Sequence, residues 1–144
     1  MQVDVADSAA KMFGSGYNCA QSVATALAEK AGLEPERMLA LSAPFGGGVA
    51  RTRNVCGAVS GMLMILGAAH PDLNKAEIYA LSREAMERFE REFGSVICSE
   101  LLAGIETDAS PVPSERTKEY YAERPCEKFI RFAVKLAESM CDAK

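Results

Sequence analysis

The chain has 144 residues, about half apolar and a quarter charged, with five cysteines, one histidine and no tryptophan. That length suits one ordinary domain with a real core, and a single domain over residues 1–144 is expected. A net charge of −4 with no basic run excludes nucleic acid as a general partner.

Met1 to Val5 has neither a basic n-region nor an apolar h-region, so no secretory signal is expected. The longest apolar stretch, Val55 to Ala69, is 15 residues and contains Ser60 and three glycines. That is short of the ~20 residues needed to cross a bilayer, so it reads as a buried core helix and no membrane span is expected. An odd number of cysteines without a signal points to free thiols in a reducing cytoplasm rather than to a disulfide framework.

In chain order, Val5, Ala9, Met12 and Phe13 predict a helix over 3–13, stopped at Gly14. Asn18 and Gln21 are spaced as a capping box for the next helix, which carries Val23, Leu27 and Ala31 on one face and ends at Gly32. Glu34-Pro35-Glu36 opens a short helix to about Leu41, because proline is tolerated at the first helical position. Ala43 to Arg53 is a loop centred on Gly46-Gly47-Gly48.

Asn54 is the expected cap of the apolar helix that ends near His70-Pro71. On that helix Gly57, Ser60 and Gly61 mark a face that a neighbouring backbone can approach closely. Asn74 and Glu77 suit a second capping box, opening a helix over 75–93 with Ile78, Leu81, Ala85 and Phe89 inward and Gly94 at its end. Ser95 is the expected cap of a short helix ending at Gly104. Residues 105–124 are polar, carry Pro111 and Pro113, and read as an irregular excursion, either a lid or a mobile segment. The last helix runs from Pro125 to about Met140 with Ile130, Ala133, Ala137 and Met140 inward. No strand or internal repeat stands out. The expected fold class is all-α, a compact single-domain helical bundle.

Four cysteines, Cys19, Cys56, Cys98 and Cys126, fall in the first turn of four different predicted helices. A helix N-terminus offers unpaired N–H groups and a partial positive charge, which favour the thiolate that attacks disulfides and binds metals. The placement points to redox or metal chemistry without choosing between them. The plain alternative is a set of buried thiols acting as small hydrophobes. Short connections between antiparallel neighbours allow the four N-termini to gather at one end. Cys141 lies at the other end of the last helix, 15 residues after Cys126 and so about 22 Å away, and is read as incidental.

Gly46, Gly47 and Gly48 could form a backbone nest for an anion, cluster sulfides or a thiolate, or be only a turn. No GK[ST] ending follows them and no strand precedes them, so neither a P-loop nor a dinucleotide fingerprint is supported. Arg53, with Arg51, is placed to stabilise thiolates or meet an anionic partner, against the alternative of solvated loop arginines. His70, before Pro71, reads as a favourable contact at a helix C-terminus.

Taken in order, Tyr17-Asn18-Cys19-Ala20, Phe45-Gly46-Gly47-Gly48, Cys56-Gly57-Ala58-Val59-Ser60-Gly61, Phe93-Gly94-Ser95-Val96-Ile97-Cys98 and Pro125-Cys126 resemble the C_GCAxxG_C_C family of redox-active proteins with four shared cysteines. The resemblance covers nearly the whole chain. It implies an all-helical fold and redox-active cysteines at Cys19, Cys56, Cys98 and Cys126. Related domains accompany haem in split-Soret cytochromes, where an iron–sulfur site is associated with the cysteine domain. No haem attachment sequence is present here, so that part does not carry over.

The leading expectation is a cytoplasmic electron-transfer protein whose Cys19, Cys56, Cys98 and Cys126 bind an iron–sulfur cluster, [2Fe–2S] in type. Gly46–Gly48 and Arg53 would offset its charge. A second expectation is metal-free thiol–disulfide or peroxide chemistry with Cys56 as nucleophile and Cys19 as resolving thiol. A third is a structural module built on a four-cysteine zinc site. The partner expected is a redox protein or a small oxidant. A homodimer, and whether the chain is an enzyme, are left open by the sequence.

Overall fold

The computed structural model describes residues 4–105, 107 and 110–142. Over them the chain is an all-α bundle. Helix α1, Val5–Gly14, is capped by Asp4, whose side chain accepts the N–H of Ala6; Val3, where the periodicity opens this helix, lies outside the described residues. Helix α2, Cys19–Leu27, has the predicted capping box in both directions. Gln21 N–H donates to Asn18 Oδ1 at 2.8 Å, and Asn18 N–H donates to Gln21 Oε1 at 3.2 Å. A 3-10 turn over Glu29–Ala31 and a left-handed Gly32 lead to α3, Pro35–Ser42.

Helix α4, Gly57–Ala69, is the apolar one, and Ala58, Val59, Met62, Ile65 and Leu66 are all fully buried on it. Helix α5, Lys75–Phe93, starts from the predicted Asn74–Glu77 box and ends at left-handed Gly94. Short helices α6, Cys98–Leu101, and α7, Lys118–Glu123, precede α8, Cys126–Cys141. Helix α4 sits at the centre, with α2 and α8 packed along it; α1 lies across α2 and α8. Phe89 and Phe93 of α5 meet Phe129 and Phe132 of α8 with ring centroids 4.8–6.0 Å apart, mostly edge to face. His70 Nε2 lies 2.8 Å from Met140 O, tying the end of α4 to the last turn of α8. No helix among the described residues is long and apolar enough to cross a membrane.

Helix α2 packs closely on α4, and the small residues of α4 permit it. A Cβ at Gly61 would lie 2.9 Å from Ala20 O, and one at Gly57 would lie 2.9 Å from Ala20 N and 3.2 Å from Cys19 Cβ. The spacing of Gly57 and Gly61 anticipates this contact.

Two expected caps are not caps. The N-cap of α4 is Cys56, and that of α6 is Ile97. Asn54 and Ser95 instead belong to two short extended segments joined by an antiparallel bridge between Val55 and Ile97. Cys56 N–H donates to Val96 O at 2.8 Å, and Cys98 N–H donates to Asn54 O at 2.6 Å. Each segment finds a cross-chain partner for its backbone, which displaces the local cap. Ser95 Oγ accepts from Ile97 N–H and donates to Glu100, so it fixes the approach to α6 without capping it. The excursion over 105–124 is likewise not wholly irregular, since α7 forms within it, capped by Thr117.

Candidate functional site

Cys19, Cys98 and Cys126 are the first residues of α2, α6 and α8, and Cys56 is the N-cap of α4. All four line one cavity of about 260 Å³ at a single end of the bundle. Cys141, half-buried at the far end of α8, takes no part in it. The Val55–Ile97 bridge sets the starts of α4 and α6 side by side, and the Gly57–Ala20 contact sets the start of α4 against that of α2.

The glycine loop forms one wall of the cavity. Gly47, Gly48, Val49, Ala50 and Arg51 are five successive residues with φ between 51° and 72°, and Arg53 follows at 63°. Left-handed backbone costs a non-glycine residue roughly 1–2 kcal/mol, so Val49, Ala50, Arg51 and Arg53 store strain. The loop holds it with its own hydrogen bonds: the N–H groups from Val49 to Asn54 donate to carbonyls between Pro44 and Val49 at 2.7–3.4 Å. Those six donors are spent within the loop and are not offered to a ligand.

Gly46 and Gly48 act sterically. A Cβ at Gly46 would overlap the Asn18 side chain at 2.4 Å, and one at Gly48 would lie 2.7 Å from Cys98 Cβ and 2.6 Å from Asn54 N. The glycines therefore let the loop wedge between the starts of α2 and α6, and its left-handed course delivers Arg51 and Arg53 to the cavity.

The four thiols are electrostatically unlike. Cys19 and Cys126 interact: the contact with Cys19 holds Cys126 below the usual thiol value, aided by Arg124, Arg116 and Arg53. Cys19 is pushed well above it by the same contact and by burial. Of the two, Cys126 is the thiol whose charged form the arginines favour. Burial raises Cys98, partly offset by Arg53, whose Nη1 lies 3.9 Å from Cys98 Sγ. Burial pushes Cys56 up to about 12 despite the N–H groups of Ala58 and Val59 that its sulfur accepts. Burial thus disfavours the Cys56 thiolate, whereas Cys126 is the thiol held below the usual value.

A strap that sequence reasoning did not resolve covers the cavity. Arg51 donates to Ser110 O at 2.6 Å, to Val112 O, and to Ser114 Oγ at 2.9 Å. Arg116 donates to Phe13 O and Tyr17 O, both at 3.1 Å, and its guanidinium stacks over Phe13 and Tyr120 at 4.7 and 4.8 Å. Arg124 lies over Tyr120 at 4.4 Å. Arg51, Arg53, Arg116 and Arg124 all line the cavity, and no aspartate or glutamate does so among the described residues. In a chain of net charge −4, that local excess of positive charge is a property of this site. Arg116 and Arg124 lie in a polar stretch with no periodicity to distinguish them from solvated arginines. Only the tyrosines at 120 and 121 beside them hint at stacking.

Among the described residues no three histidine, cysteine, aspartate or glutamate side chains gather closely enough to hold a single metal ion. Of the four cavity cysteines, Cys19 and Cys126 interact directly, while Cys56 and Cys98 each follow the bridge residues Val55 and Ile97.

A family model described as "Putative redox-active protein (C_GCAxxG_C_C)" matches residues 17–140. The chain belongs to this family. The match runs from Tyr17, two residues before Cys19, to Met140, so it takes in the four cavity cysteines and stops short of Cys141. No curated protein and no solved structure matches the chain closely enough to add to this. The family's glycine motif now has a physical reading: in Cys56-Gly57-Ala58-Val59-Ser60-Gly61, Cys56 supplies a sulfur to the cavity and the two glycines admit α2.

Proposed function

We propose that the four cavity cysteines form one redox centre and that they hold an iron–sulfur cluster of the [2Fe–2S] type. The observation that carries this reading is the delivery of four sulfurs from four helix N-termini to one arginine-lined cavity. Each iron of a two-iron cluster takes two thiolates, so the cysteines would serve as two pairs rather than as one tetrahedron around an ion. Cys19 against Cys126 supplies one such pair, and Cys56 and Cys98, each one residue beyond the Val55–Ile97 bridge, supply the other two sulfurs. Such a cluster supplies one-electron transfer when bound.

The chain's own groups fit a negatively charged occupant. The N–H groups of Ala58 and Val59 point at the Cys56 sulfur, Arg53 faces Cys98, and the arginines lower the cost of several thiolates in one enclosed space. Anaerobic reconstitution with iron and sulfide tests the proposal. The expected result is visible charge-transfer absorption with iron and acid-labile sulfide in equal amounts. Stoichiometric zinc without sulfide would favour a structural module instead.

The Cys19–Cys126 contact favours a second, metal-free reading. Cys126 as thiolate would attack an oxidised substrate and Cys19 would resolve the intermediate. The two thiols would give up two electrons and two protons as their disulfide forms. Protein that takes up neither iron nor zinc yet forms a Cys19–Cys126 disulfide under mild oxidant would support it.

A further inference from the structure

The guanidinium of Arg53 is only partly used. Nη1 faces Cys98 Sγ at 3.9 Å, while Nε and Nη2 are shielded from solvent and have no hydrogen-bond partner among the described residues. Those two nitrogens form one edge of the guanidinium plane, the edge that binds a carboxylate or oxyanion through two parallel N–H···O bonds. A buried donor without an acceptor costs about 1–3 kcal/mol, and here two share one charged group. The neighbourhood supplies no counter-charge, because Arg51, Arg116 and Arg124 line the same cavity and no carboxylate does among the described residues. The edge is also held in place: Arg53 is fixed in a left-handed conformation, its N–H donates to Gly47 O at 3.0 Å, and its carbonyl accepts from Ser99 N–H at 3.2 Å.

From this we infer that the cavity binds a small oxyanion or carboxylate on the Nε–Nη2 edge of Arg53, beside the Cys98 sulfur. The inference deepens the redox reading by naming the class of molecule brought to the centre: a small anion with two oxygens to offer one guanidinium edge. A cavity of about 260 Å³ suits a compact molecule, being just below the roughly 300–1,000 Å³ typical of ligand sites. The strap residues Pro111 to Arg116 would close over it.

The probe is inorganic sulfate, with acetate as competitor, titrated calorimetrically into the reduced, metal-free full chain. Wild-type protein should bind one sulfate per chain and acetate should displace it. Arg53→Lys keeps the charge but lacks the two-donor edge, so it should weaken binding roughly tenfold or more, with Arg53→Gln at least as weak. Unchanged affinity in both variants would mean sulfate sits elsewhere and would overturn the inference, as would no binding by folded wild-type protein. Should the variants fail to fold, wild-type protein still decides the matter. Saturating sulfate should slow alkylation of Cys98 severalfold while leaving Cys141 unchanged, and equal rates at Cys98 with and without sulfate would refute the site. Iron and sulfide uptake is measured separately, so sulfate binding without a cluster sinks only the cluster, and a cluster without sulfate binding sinks only the anion site.

Discussion

Replacing Gly61 by alanine tests the contact that sets two cysteine-bearing helices together. A Cβ there would stand 2.9 Å from Ala20 O, 3.2 Å from Val23 Cβ and 3.3 Å from Ala24 N. Two of these three atoms are backbone of α2 and cannot turn aside, so α2 must move. Overpacking of this kind costs about 1–3 kcal/mol, while glycine to alanine within a helix returns up to ~1 kcal/mol of propensity. The net expectation is a loss of about 1–2 kcal/mol. Gly67 provides the control, since it lies on the same helix with nothing within 4 Å of an added Cβ. Gly67→Ala should therefore gain up to about 1 kcal/mol. Urea unfolding of the two variants isolates the packing cost as their difference, and in thermal melts each kcal/mol should move the midpoint by roughly 4 °C. Gly61→Ala as stable as Gly67→Ala would refute the close approach of α2 to α4.

Thiol reactivity should follow the surroundings of each sulfur. As pH rises, a small alkylating reagent should modify Cys126 first, because its thiol lies below the usual value, and Cys56 and Cys19 late, because both thiols are pushed up, Cys56 to about 12. Mass mapping of the alkylated sites checks this, and Cys56 reacting ahead of Cys126 at neutral pH would contradict it. Val49→Gly should be neutral or stabilising by up to about 1 kcal/mol, because a left-handed valine at the protein surface costs ~1–2 kcal/mol and glycine relieves it. A loss above about 1 kcal/mol in urea unfolding would argue against the left-handed loop.

The helices were legible wherever their signals are local. The Asn18–Gln21 and Asn74–Glu77 boxes, Pro35, and left-handed Gly32 and Gly94 each act within one turn of chain, and each lies where the sequence placed it. The placement of the four cysteines at helix starts was legible from the chain, and the antiparallel order of neighbouring helices allowed, without requiring, the cavity they share. What was not legible depends on chain segments far apart in sequence. Asn54 and Ser95 look like caps until the Val55–Ile97 bridge pairs their neighbours. Which thiol is held low could not be read from helix position, because Cys56 and Cys126 both sit buried at helix starts and differ in the Cys19 contact and the arginines around them. The roles of Arg51 and Arg116 as anchors of the strap follow from carbonyls more than 50 residues away.

The central claim is that Cys19, Cys56, Cys98 and Cys126 act as one centre from which Cys141 is excluded. It is tested most directly by substituting each of the five by serine, one at a time, and measuring iron and acid-labile sulfide after anaerobic reconstitution. Cys141→Ser should match the wild-type chain, and each of the other four should lose most of its iron and sulfide while remaining folded by circular dichroism. Equal loss in Cys141→Ser, or full retention in any one of the four cavity variants, would contradict the account.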